Sequence, residues 1–419
     1  MMATTALVWF RRDLRVHDHP PLRAALDAFE RVVPVFVLDP RLLEGRFESE
    51  YRAAFLLDCL KDLRKALQER GGNLVVVRGT PEQELPRLAR EHGATATYFA
   101  SDVSPFAMGR DQRVEAALTE AGVEPRRTPG NFIADIGKVK PYSVFSPFWR
   151  AWRELPRRDV LGAPRTVTVP SNLAVGTIPA PGKRGDQHGG EAAGRRQMLA
   201  FDPATYDDAR VNMALQTSRL SAYLHFGCVS ARELETRSSG KFARQLAWRD
   251  FYAHVLLKHP RNTRHAHQAE MDAIEWEGED EHFHAWCEGR TGYPAVDAGM
   301  RQLAQTGWMH NRARLITASF LVKDLHIDWR RGEQHFMRYL IDGDVAQNNG
   351  NWQWISSVGV DPAPLYRRFY NPTLQLQRHD PDGDYVARWA PDSQTITPIV
   401  DHAVERKRTM EAYGRARGT

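Results

Sequence analysis

Residues 6–38 read ALVWFRRDLRVHDHPPLRAALDAFERVVPVFVL. The apolar, β-branched and aromatic run Ala6–Phe10 gives way to charge, Pro21–Phe29 shows helical spacing, and a second apolar run follows at Val32–Leu38. Short runs of this kind, bounded by turn residues, read as strands. The pattern continues with apolar runs at Leu74–Val77 and Thr97–Ala100 and with helical spacing at Tyr51–Glu69, Pro81–His92 and Arg110–Ala121. Pro81 sits where a helix tolerates proline best, at its start. Alternation of strand and helix predicts an α/β domain over residues 1–130 built on a doubly wound parallel sheet. Neither GxGxxG nor GxxxxGK[ST] follows the first strand, so the usual dinucleotide fingerprint and the P-loop are both absent.

Beyond residue 130 the character changes twice. Residues 131–200 read as an interdomain linker, because Pro164–Gly194 is rich in Gly, Pro and Ala and poor in aromatics. From residue 201 to 419 apolar residues recur at helical spacing, at Arg232–Lys258, Tyr293–Thr306, Asn311–Leu325 and Glu333–Ile341. An all-α C-terminal domain is expected there.

Composition excludes more than it identifies. With 42% apolar residues and 10% aromatics, a disordered or collagen-like chain is a poor fit. Cys59, Cys228 and Cys287 have no paired spacing, which fits a reducing cytoplasm, and no apolar stretch of membrane-spanning length occurs. The net charge of +5 divides into +2 for residues 1–150, +4 for 151–200 and −1 for 201–419, so overall basicity says little about nucleic acid. Residues 301–338, however, carry seven bases against three acids, a local basic face suited to phosphate. Of 11 tryptophans, 8 lie after residue 240.

Two segments carry chemistry. In LIDGDVAQNNGNWQWIS (340–356) two carboxylates, three Asn and two Trp crowd together. Such polar density is costly to bury unless a polar aromatic ligand accepts its hydrogen bonds, although an exposed capping loop would also tolerate it. TSRLS (217–221) sets hydroxyls around an Arg, suited to a phosphate, or to a helix N-cap. The pairs His17/His19, His265/His267 and His282/His284 lack the partners of a metal site, and none is expected.

These segments, with VWFRRDLRVHDHPPL (8–22), WRDFYAHVL (248–256) and RTGYPAVDAGMRQLAQTGWMHNRARLITASFLVKDL (290–325), resemble the DNA photolyase/cryptochrome family over nearly the whole chain, closest to its cyclobutane-pyrimidine-dimer photolyases. The resemblance implies light-driven DNA repair: photoexcited reduced FAD donates an electron to a flipped-out pyrimidine dimer and receives it back. Tyr206, Thr217, Ser218, Arg219, Leu220 and Ser221 match the pyrophosphate and ribose side of the FAD site. Asp342, Gly343 and Asp344 match the segment against the isoalloxazine, with Arg314 pairing Asp342. Asn348 falls where the family faces flavin N5. Trp352, Trp329 and Trp276 match a relay that carries electrons to oxidised flavin. For damaged DNA, Trp248 and Trp354 match the indoles flanking the dimer, Asn311 and Arg312 match contacts to lesion and backbone, and Arg210 and Gln375 match further DNA-side positions. Asp102, Phe106, Arg110 and Asp111 lie in a segment resembling the side of a second, antenna chromophore, for which a methenyltetrahydrofolate, an 8-hydroxy-deazaflavin or another flavin are the candidates and an empty pocket is the alternative. A monomer in the cytoplasm is implied.

Two positions depart from the dimer-repair pattern. Gln245 stands where Glu is usual and loses a charge and a proton; Leu315 stands where Met is usual and loses a polarisable sulfur. The alternative function is a blue-light photoreceptor with little repair activity. Asn348 favours repair, since some of the family's photoreceptors carry Asp or Cys there. About 30 residues follow Trp389, short for a signalling extension.

Overall fold

The structure is a computed structural model and describes residues 4–361 and 368–417. Five strands, β1 (Thr5–Phe10), β2 (Arg31–Leu38), β3 (Val75–Arg78), β4 (Ala94–Ala100) and β5 (Glu124–Thr128), form a sheet in the order β3-β2-β1-β4-β5. All neighbours are parallel, in registers such as Val8↔Pro34 and Val8↔Tyr98. β1 is central and buried at every position, which is why it reads as a continuous apolar run and not as an alternation. Helices α1 (Pro20–Ala28), α2 (Glu50–Gln68), α3 (Pro81–His92) and α4 (Pro105–Glu120) make the crossovers. The strand order reverses at β1, giving the doubly wound arrangement expected. β5 lies outside that expectation. Its sequence, EPRRT, has no apolar run; as an edge strand it needs only one partner, and charge guards the free edge. α4 begins five residues before its expected start because Ser104 caps it and Pro105 opens it.

Two compact units are present, and their boundaries differ from the 1–130, 131–200 and 201–419 divisions read from the sequence. The first comprises residues up to Val139, Ala151–Phe201 and Leu220–Asp250; the second comprises Lys140–Arg150, Asp202–Arg219 and Phe251–Thr419. Much of the expected linker thus belongs with the sheet. Val167 N–H donates to Arg70 O at 2.8 Å, Val32 N–H to Thr168 O at 2.8 Å and Val76 N–H to Val175 O at 2.9 Å. Main-chain bonds order a Gly/Pro-rich segment that has few side chains to bury, and composition does not reveal them. The expected helix Arg232–Lys258 is two helices, Ala231–Thr236 and α5 (Gly240–Lys258), parted by Arg237, Ser238 and Ser239, and α5 opens on a left-handed Gly240 (φ 56°).

The second unit is helical, as expected. Its main helices are α6 (Asp280–Glu288), α7 (Pro294–Thr306), α8 (Asn311–Lys323), α9 (Trp329–Tyr339), α10 (Val345–Ile355), α11 (Pro372–His379), α12 (Asp384–Trp389) and α13 (His402–Arg417). Trp286, Phe320, Leu321, Trp329, Phe336 and Trp352 are buried in one apolar cluster. The tightest approach in it is at Gly332 on α9, where a Cβ would stand 2.2 Å from Trp352 Cη2 and 2.5 Å from Leu321 Cδ2. Only a hydrogen lets α9 lie this close to α8 and α10.

Gly332→Ala would gain up to about 1 kcal/mol of helix propensity but overpack two core side chains at a cost of about 1–3 kcal/mol. The urea midpoint should therefore fall. An unchanged or higher midpoint would show that the Trp352 ring moves aside freely.

Candidate flavin and DNA site

The loop between α9 and α10 is drawn inward by backbone and side-chain bonds together. Ile341 N–H donates to Gly307 O at 2.8 Å and Gly343 N–H to Leu340 O at 3.2 Å. Asp342, buried, receives Arg314 Nη2 at 2.9 Å, while Arg314 Nε donates to Met309 O at 2.8 Å. Asp344 caps α10 by accepting Gln347 N–H at 2.9 Å. The segment does cap α10 but is buried, so the reading of an exposed capping loop does not hold.

One turn into α10, Asn348 is anchored. Its side chain meets Glu333 O at 2.9 Å. A carbonyl can only accept, so the amide end facing it is Nδ2, and Oδ1 is left as the acceptor available to a ligand. Asn311, Arg314, Asp342, Gly343, Asp344, Asn348 and Trp352 all line a single cleft of about 530 Å³, counted with its open mouth. Leu315, Phe336 and Leu340 supply its apolar wall. Carboxylates, amides and one guanidinium beside such a wall suit a flat, polar aromatic group. Gln347 and Asn351 also line the cleft and were not singled out from sequence. Their spacing from Asp344 and Asn348 places them on the same helical face, a signal that was available.

Trp329 and Trp352 are buried, and Trp276 is half-buried against the same cluster. Trp286 is in ring contact with Trp352, edge to face with centroids 6.4 Å apart, and Phe336 is 5.0 Å from Trp352.

Residues 6–167 match the family model described as DNA photolyase, and residues 242–415 match that described as the FAD binding domain of DNA photolyase. A deoxyribodipyrimidine photo-lyase of Streptomyces griseus is 42% identical over 98% of this chain and 94% of its own length. Among solved structures, an archaeal photolyase from Sulfolobus tokodaii with two FAD molecules superposes with a TM-score of 0.92 at 31% identity, covering 98% of this chain and 100% of that one. A Synechocystis cryptochrome superposes at 0.89 with 29% identity, covering 98% and 99%. The chain belongs to the DNA photolyase family.

Photolyase positions expected to face DNA or the rest of the flavin are distributed over both units. In the second unit Arg210 ends the short helix Tyr206–Ala209, and Arg312 is half-buried at the start of α8 with its Nε finding no hydrogen-bond partner among the described residues. Gln375 Oε1, on α11, is likewise buried and unbonded among the described residues. Burial pushes the Tyr206 hydroxyl up to about 12. Arg219 adopts a left-handed φ of 52°, uncommon for a non-glycine residue, and its guanidinium lies 4.0 Å from the centroid of the Trp308 ring. The Trp354 indole donates to Asp361 at 3.3 Å, with Arg368 over its ring at 4.5 Å. In the first unit Gln245 is exposed, Trp248 half-buried, and Ser221 opens the helix Ser221–Phe226. Its N-cap position is Leu220, whose side chain makes no capping bond.

The photolyase antenna segment lies beyond the C-terminal ends of β1 and β4, where the strand order reverses and such sheets bind ligands. There Arg11 and Arg110 pair with buried Asp111 at 2.6 and 2.9 Å and stand 4.5 and 4.9 Å from the Trp9 ring. Arg110 and Asp111 are thus engaged with each other, while Phe106 is exposed and Asp102 is 3.9 Å from Arg12.

Burial pushes His310 and His335 down to about 4. With an unfolded value near 6.5, each contributes stability that is full above pH 6.5 and lost as pH falls from 6.5 toward 4. Asp324, raised by burial to about 6, runs the opposite way, so the histidines are best followed individually. In an NMR titration their ring signals should keep the neutral-form shifts down to about pH 5. A midpoint near 6.5 for either would contradict its burial.

Proposed function

We propose that the chain repairs DNA in light by splitting cyclobutane pyrimidine dimers, with FAD held at the cleft of Arg314, Asp342, Asp344 and Asn348. The observation that carries this reading is the convergence of these groups on one half-apolar cleft whose rim, Asn311, begins the basic end of α8. When bound and reduced, FAD supplies on illumination the electron that opens the cyclobutane ring and to which that electron returns.

The chain's own residues bind and orient. Arg314 neutralises Asp342 and fixes the loop under the ring system. Asn348 presents a fixed Oδ1, an acceptor for a protonated ring nitrogen, and has no proton of its own to transfer. Tyr206 and Thr217–Ser221 hold the pyrophosphate and ribose. Trp352, Trp329 and Trp276 would relay electrons from an external reductant at the surface toward the flavin site, a role suited to electron-rich indoles, Trp329 and Trp352 buried and Trp276 partly exposed against them. Arg210 and Arg312 meet phosphates, Asn311, Gln245 and Gln375 make polar contacts, and Trp248 and Trp354 stack on the extruded dimer, offsetting part of the few kcal/mol that unstacking costs. The β1 and β4 ends are the place for an antenna chromophore of the flavin, deazaflavin or folate type, and the two FAD molecules of the Sulfolobus tokodaii relative support a flavin as that second chromophore. Within this proposal the chain works as a monomer in the cytoplasm.

The likeness to a cryptochrome supports a second reading, light sensing without repair. Illumination of the reduced, FAD-loaded protein with dimer-containing oligonucleotide separates the two. Repair predicts loss of dimers in light and none in the dark; dimers that persist in light favour sensing. Gln245→Glu restores the charge usual at that position and should raise repair per absorbed photon. A yield that stays level or drops would show that Gln245 is no weakened repair group.

A further inference from the structure

His310 is 1% exposed and sits between two segments that carry DNA-side arginines. Its Nδ1 accepts Arg312 N–H at 3.1 Å, which makes it the N-cap of α8. Its Nε2 stands 2.8 Å from Ala209 O, next to Arg210. A carbonyl oxygen only accepts and the Arg312 amide only donates, so the ring is neutral with its proton on Nε2. The main chain of His310 is held as well: its N–H donates to Gln302 Oε1 at 3.0 Å, and the same oxygen receives the Tyr385 hydroxyl at 2.6 Å. Every polar atom of the imidazole is thus used to join Tyr206–Ala209 to the first turn of α8.

The join brings together charges that repel. The pKa of Arg312 is lowered, chiefly by burial; Tyr370 opposes the shift, while Arg210 and Arg378 add to it. Asp207 is 3.5 Å from Arg210 and compensates one of them. A phosphate would relieve the rest, and without DNA the segments must be kept in place by something other than charge attraction.

We propose that His310 is a positioning residue for DNA binding: its two ring nitrogens join the segments that carry Arg210 and Arg312, so that both arginines are held ready to meet phosphates of the damaged strand. This rests on the DNA-repair reading above. His310 is not among the residues that line the flavin cleft.

His310→Asn tests it, because Asn is a strong N-cap and keeps the bond to Arg312 N–H but is too short to reach Ala209. Binding is measured in the dark with a fluorescent dimer-containing oligonucleotide, alongside FAD content and light-driven repair at saturating DNA. The expected result is a dissociation constant about tenfold higher, the loss of one buried hydrogen bond, with FAD content and saturated repair rate within about twofold of wild type. His310→Ala, which removes the cap too, should bind DNA no better than His310→Asn and melt lower. Wild-type affinity in His310→Asn, or a fall in FAD content that accounts for the whole loss, would overturn the proposal. Failure of the unmodified protein to bind or repair dimer DNA would instead bring down the repair reading, and His310's role with it.

Discussion

The pair between Arg314 and Asp342 is the interaction on which the site depends. At 2.9 Å it joins α8 to the loop that begins α10, so one contact sets Asn311 and Arg312 on one side against Asp344 and Asn348 on the other. Asp342 is buried, and removing one member of a buried pair typically costs about 3–5 kcal/mol because a charge is stranded. Arg314 is held in turn by Met309 O, and its guanidinium lies 6.0 Å from the Trp308 ring. The ion pair is therefore a support built from the protein, to which a flavin is added.

Behind it, the close packing at Gly332 does for the tryptophans what the ion pair does for the polar groups. A buried aromatic cluster holds Trp329 and Trp352, with Trp286 and Phe336 packed around Trp352. Composition shows only that indoles concentrate after residue 240. In the structure Trp286, Trp329 and Trp352 are buried in this cluster, while Trp276 and Trp354 pack against it partly exposed, Trp354 also meeting Asp361 and Arg368.

Much of this was legible in the sequence, for identifiable reasons. β1 and β2 were readable because fully buried parallel strands are continuous apolar runs, and Asp342–Asn348 because buried polar density is unusual. β5 was missed because an edge strand can be wholly polar. The ordering of 164–176 onto the sheet was missed because main-chain hydrogen bonds leave no trace in side-chain composition. His310 was missed for a related reason: a histidine whose two nitrogens meet a backbone N–H and a backbone C=O has partners that no side-chain motif records. The roles of individual residues came from the family resemblance, and the geometry shows which of them share a cleft.

The most direct test of this account is the flavin content of Arg314→Met. The substitution keeps much of the side-chain volume and removes the charge that Asp342 faces. If the pair supports the flavin cleft, the FAD-to-protein ratio after purification should fall at least about tenfold, while the far-ultraviolet circular dichroism stays that of the unmodified chain. A variant that retains its full complement of FAD would contradict the account.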